Sequence, residues 1–127
     1  MKYYINKIID ADIDTATNKI TKELQAEGFG IVTQFDVDKA LKEKMDIDFR
    51  PYRILGACNP PFALKSINAE DKIGTLLPCN VMLQVIDNKT EIAIINPIVM
   101  VQSLGNDEMT EIASKIAEKL KTALLNV

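Results

Sequence analysis

Apolar positions along the chain recur at two spacings, and the switches between them mark out its elements. Lys2–Ile9 is rich in Tyr and Ile and predicts a first strand. Ile13, Ala16, Ile20 and Leu24 then recur at helical spacing, behind Asp10 or Asp12 as the cap. Gly28 ends that helix, as glycine does where the backbone turns left-handed. Gly30–Phe35 predicts a short strand, and Asp36 caps a second helix with Val37, Ala40, Leu41 and Met45 on one side. Asp46–Pro51 reads as a loop and Tyr52–Ala57 as a strand. Asn59-Pro60 is a helix start, with Asn as N-cap and Pro at the first helical position, and the helix runs near Pro60–Asn68. Val81–Ile86 and Glu91–Ile95 predict two strands joined by a hairpin turn over Asp87-Asn88-Lys89-Thr90. Asn96–Gly105 leaves two readings open, a strand over Val99–Leu104 or a connecting segment. Asn106 caps the last helix, whose first-turn Asp107 and Glu108 and late Lys119 and Lys121 complement its dipole. Met109, Ile112, Ile116, Leu120 and Leu124 give that helix a core-facing stripe.

Short helices between strands, with one tight hairpin, define an α+β chain. The expectation is a single mixed or largely antiparallel sheet of about five strands, with helices packed mainly on one face. The 127 residues fit one domain spanning 1–127, with no internal repeat, low-complexity run or linker. A chain of this size buries roughly two thirds of its unfolded surface, enough for a core without staples.

Charge and composition narrow the functions. The net charge of −3 and a pI near 5.0 argue against a nucleic-acid partner, because such binding leans on clustered Lys and Arg. Ile92–Val101 is too short for a membrane span and is broken by Asn96-Pro97, so no membrane partner is expected. The first residues, Met1-Lys-Tyr-Tyr-Ile-Asn-Lys, lack the apolar core of a signal peptide, which places the expected location in the cytoplasm, with Cys58 and Cys79 as reduced thiols. The chain contains no His. Ser-His-Asp and Cys-His mechanisms within one chain are therefore excluded, and two Cys fall short of a structural zinc site. Asp46-Ile-Asp48-Phe lacks the remaining ligands of a calcium loop, so no metal is expected.

The candidate chemistry gathers in the middle of the chain. Among 15 Lys and Arg, the only arginines are Arg50 and Arg53, in Arg50-Pro51-Tyr52-Arg53. In a Lys-rich chain an Arg is retained where its planar fork matters, either for a ligand or for salt bridges, here to Asp46 and Asp48. Cys58 lies just before a helix N-terminus, where unpaired N–H groups favour a thiolate, although most free Cys are small buried apolar residues. Cys79-Asn80 repeats the Cys58-Asn59 pair, and the two thiols either approach each other or are unrelated core residues. The N–H groups after Asn59 offer a place for a carboxylate or phosphate, with Arg50, Arg53 or Lys65 as counter-charge.

Three blocks in this order, Asp48-Phe49-Arg50-Pro51-Tyr52, Leu55-Gly56-Ala57-Cys58-Asn59-Pro60-Pro61 and Leu76-Leu77-Pro78-Cys79-Asn80-Val81, resemble the domain-of-unknown-function family numbered 302. The resemblance runs from Ile5 to the final helix and is densest from Gly28 to Val81. It implies a small α+β protein of bacterial or archaeal type and a homodimer, and it brings no settled reaction and no cofactor. Its motif positions fall on Phe49, Arg50, Pro51, Tyr52, Cys58, Asn59, Pro60, Pro61, Pro78, Cys79 and Asn80. Relatives often carry Asp where this chain has Asn96, which disfavours a carboxylate-dependent reaction here, and a basic residue at the position of Lys65.

The leading expectation is a homodimeric binding module for a small anionic ligand at the Arg50–Pro61 segment, using Arg50, Tyr52, Arg53, Asn59, Lys65 and Asn80. One alternative is a thiol-dependent enzyme or redox sensor using Cys58 with Cys79. A further one is that these motifs only build the fold or the dimer.

Overall fold

The computed structural model describes Met1–Val127. Its strands are β1 (Tyr4–Ile9), β2 (Gly30–Asp36), β3 (Tyr52–Cys58), β4 (Cys79–Ile86) and β5 (Lys89–Ile95). Its helices are α1 (Ile13–Ala26), α2 (Val37–Met45), α3 (Pro60–Ala69), α4 (Pro97–Val101) and α5 (Asp107–Leu125), with 3-10 turns over Asp71–Leu76 and Gln102–Leu104. The strands form one sheet in the order β1-β5-β4-β3-β2. Every neighbouring pair is antiparallel, so the sheet expected as mixed or largely antiparallel is wholly antiparallel.

Local chemistry accounts for the joints. The β4–β5 hairpin is a two-residue turn in which Asp87 and Asn88 both have positive φ, 52° and 62°. Asp and Asn tolerate that conformation, and its twist matches the flanking strands. Side-chain oxygens of Asp12, Asn59 and Asn106 accept from Thr15, Phe62 and Met109 backbone N–H groups and cap α1, α3 and α5. Asp36 occupies the cap position of α2 without capping it, because its carboxylate is engaged by Arg53. The segment left open in sequence, Asn96–Gly105, is helical, with α4 started by the Asn96 cap and Pro97.

One face of the sheet carries the core. Leu55, Val81, Leu83, Ile92 and Ile94 are fully buried against Ala16, Ile20 and Leu24 of α1 and Ala113 and Leu120 of α5. Full burial of each such Leu or Ile stabilises the fold by about 1.5–3 kcal/mol. Lys7 of β1 donates to the carbonyls of Leu125 and Val127, tying the end of α5 to the sheet edge. By contrast α2 buries no residue, and Met45 at its end is exposed. No helix is long and apolar enough to cross a membrane.

Candidate functional site

Antiparallel register places alternate residues of the five strands in rows on the face turned away from the core. One row runs Ile8, Glu91, Gln84, Tyr52. The next runs Asn6, Ala93, Met82, Ile54, Phe35. A third holds Tyr4 and Ile95 at one side and Asn80, Gly56 and Thr33 at the other. Between these rows lies a hollow of about 380 Å³, floored by Met82, Ala93 and Ile95 and walled by Tyr3, Tyr4 and Tyr52.

A chain of hydrogen bonds crosses this face. Asn6 Nδ2 donates to Glu91 Oε2 at 2.9 Å, and Gln84 Nε2 donates to Glu91 Oε1 at 2.7 Å. Arg50 Nε donates to Gln84 Oε1 at 2.8 Å. The hydrogen bonds from Gln84 and Asn6 hold the Glu91 carboxyl below its ordinary value against the opposing effect of burial, with help from the charge of Lys2. Glu91 is therefore ionised at neutral pH. The Arg50 guanidinium lies 4.4 Å from the Phe49 ring centre and 5.7 Å from that of Tyr52. Only its Nε is bonded within the chain, which leaves both Nη groups without a protein partner, beside Gln84 and Tyr52 of the hollow's lining.

The two arginines thus part company. Arg53 lies on the core side of β3, with its side chain only 10% exposed. It donates to Asp36 Oδ1 at 2.6 Å, to Asp14 Oδ1 at 3.0 Å and to Thr17 Oγ1 at 3.0 Å. These groups join α1, β2 and β3, so Arg53 is a brace with its Nε and Nη1 engaged within the fold. The partners foreseen in Asp46 and Asp48 are both taken by Lys42, at 2.9 Å and 3.0 Å. Burial opposes the ionisation of Asp36, but hydrogen bonds from Arg53 and Gln34 and the charges of Arg53 and Lys39 outweigh it and keep the carboxyl below its usual range.

The α3 start is occupied in a similar way. Asn59 is buried, accepts from Phe62 N and donates to the Glu27 carbonyl at 3.2 Å, fastening the end of α1 to the start of α3. Lys65 lies 5.3 Å from the Phe62 ring centre, away from the open face. Cys58 and Cys79 border one small cavity of about 20 Å³ with Phe62, Leu77 and Pro78, so they are neighbours. Burial, with the nearby Cys58, pushes the Cys79 thiol up to about 11, which keeps it protonated and unreactive at neutral pH. Gly56 is bare for a reason of space. A Cβ there would stand 2.6 Å from Pro78 Cγ and 2.2 Å from Thr33 Oγ1, so Pro78 closes over β3 only because the residue is glycine.

Of the residues singled out in sequence, Arg50, Tyr52 and Asn80 come together on the open face, while Arg53, Asn59, Lys65 and the two cysteines do not join them. Gln84, Glu91, Met82, Tyr3 and Tyr4 belong to the hollow and were not foreseen. The available signal was the alternation Asn80, Met82, Gln84 in β4 and Glu91, Ala93, Ile95 in β5. It marks a second face too apolar for plain solvation and too polar for a core.

Family comparison agrees with this architecture. The chain belongs to the family described as Domain of unknown function DUF302, whose model matches residues 5–127. Among solved structures it is similar to the uncharacterized conserved protein DUF302 from Bacillus stearothermophilus. The identity is 28%, the match covers 99% of this chain and 98% of that one, and the TM-score is 0.93. No functionally curated protein matches the chain.

Proposed function

We propose that this chain is a small-molecule binding module that takes an organic anion on the open face of its sheet and works as a homodimer. The observation that carries the reading is the Arg50 fork, unpaired with any carboxylate and held by Gln84 beside a hollow walled by three tyrosines. Apolar walls with a few converging polar groups are the usual make-up of a ligand site, and an Arg fork matches a carboxylate in shape and charge. The sheet is favoured over the α3 start because Pro60 and Pro61 carry no N–H, the Phe62 N–H is capped by Asn59, and Arg53 is engaged with Asp36 and Asp14.

Exposed apolar residues support the homodimer. Ile8, Phe35 and Ile86 surround the hollow on the same face and are 62%, 52% and 47% exposed. Five strands about 4.8 Å apart and about seven residues long make a face of roughly 550 Å². Two such faces bury slightly more than the roughly 1,000 Å² that a specific interface needs. A second copy laid sheet to sheet would roof the hollow, which on its own leaves one side of a ligand in water. Thiol chemistry has weaker support, because Cys79 is buried and protonated.

Calorimetry with benzoate tests the anchor. Arg50→Gln should weaken binding about tenfold, the scale of one exposed charge-assisted contact. Equal affinity in the two proteins would remove Arg50 from the site. Sedimentation equilibrium tests the assembly: wild type should be dimeric and Phe35→Glu monomeric.

A further inference from the structure

The hollow on the sheet does not end at Asn80 and Ile95. These two residues also border a second hollow of about 280 Å³, which continues past the end of β4 and is lined by Thr75, Leu76, Leu77 and Met100. The two hollows adjoin at Asn80 and Ile95, and together they make a groove that runs toward Met100. From Gln84 to Asn80 alone it follows about 13 Å of strand, and the second hollow extends it further. Charge is distributed unevenly along it. Glu91 is the one charged residue lining the first hollow, Arg50 joins it from outside through Gln84, and no charged residue lines the second hollow.

Resting on the anion-binding reading, we infer that the ligand class is an unbranched aliphatic carboxylate, with its head on the Arg50 fork and its chain laid along Met82 and Ile95 to Met100. Each part of the groove supports one part of that molecule. The outward Nη groups match a carboxylate. Glu91 repels negative charge inside the first hollow, which leaves the Arg50 fork outside its lining as the place for a single carboxylate. The second hollow offers mostly methyl, methylene and thioether groups, with Asn80 and Thr75 as its polar side chains and no charged partner for a second ionised end. A methionine at the tail position suits chains of varying length, because its side chain adapts to irregular space.

A calorimetric series of hexanoate, octanoate and decanoate tests this on the intact chain. Affinity is expected to rise about fourfold per added methylene while the chain fills the groove. Thr75→Phe, at an exposed position of the second hollow, should flatten the rise between octanoate and decanoate. Arg50→Gln should lower all three by a similar factor. Equal affinity across the series in wild type, still sensitive to Arg50→Gln, overturns the aliphatic assignment and leaves the anion-binding reading standing. A rise with length that ignores Arg50→Gln overturns both, as does a complete lack of binding. The wild-type series needs no variant, so a poorly folded Thr75→Phe protein leaves the test intact.

Discussion

Replacing Arg53 with methionine removes a nearly buried cation from between Asp36 and Asp14. The two arms of the interaction differ in weight. Asp14 is 81% exposed and its arm is a surface pair, worth less than about 1 kcal/mol. Asp36 is 18% exposed, and breaking a buried pair from one side costs about 3–5 kcal/mol. That figure falls here because Asp36 keeps partial solvent access and Lys39 at 3.5 Å. The expected loss is about 2–3 kcal/mol of a stability near 5–15 kcal/mol. With a urea slope of about 1–3 kcal/mol/M, the unfolding midpoint should fall by about 1–2 M. Arg53→Lys should recover only part, since an ammonium lacks the fork that reaches Asp36 and Asp14 together. The pH dependence carries a sign. The folded state holds Asp36 below its unfolded value, so the brace is fully present above about pH 4 and is lost as pH falls through the folded value. The gap between wild type and Arg53→Met should therefore narrow toward about pH 3. A loss under about 1 kcal/mol at neutral pH, or a gap unchanged in acid, would refute the brace.

Other positions give sharper local tests. Gly56→Ala forces Pro78 and Thr33 apart and should cost about 1–3 kcal/mol in the same urea assay; an unchanged midpoint would deny the close approach. Asn59→Ala removes the α3 cap and the bond to the Glu27 carbonyl, for an expected loss of about 1–2 kcal/mol, whereas Lys65→Ala should change stability by less than about 0.5 kcal/mol. Cys79 should resist iodoacetamide in the native protein at neutral pH and label readily in urea, read by peptide mass spectrometry; rapid native labelling would contradict its burial.

Most of the fold was legible in the sequence, and the reason lies in its punctuation. Asp12, Asn59 and Asn106 each precede a helical repeat and each caps a helix. The apolar stripe from Met109 to Leu124 is buried as its spacing predicts, and Asp87-Asn88 closes the hairpin. Asn96–Gly105 was ambiguous because Ile98–Val101 is a short apolar run that periodicity cannot assign to strand or helix. The site was less legible. Arg50 and Arg53 are three residues apart, and period-two alternation sends them to opposite sides of the sheet, one to solvent and one to Asp36. Proximity in sequence favoured Asp46 and Asp48 as their partners, but the β2–β3 pairing sets Asp36 opposite Arg53 and leaves the other two to Lys42. Gln84 and Glu91 face each other because the turn is only Asp87-Asn88; a turn over Asp87–Thr90, as the sequence alone suggests, would set Ile86 opposite Glu91 instead.

On this reading the open sheet face, and not the α3 start, receives the ligand. Amide chemical-shift mapping with octanoate tests it most directly. Shifts should concentrate at Tyr52, Asn80, Met82, Gln84 and Ala93, and in Arg50→Gln they should need about tenfold more octanoate. Shifts clustered instead at Cys58, Phe62 and Lys65 would contradict it and return the site to the start of the helix.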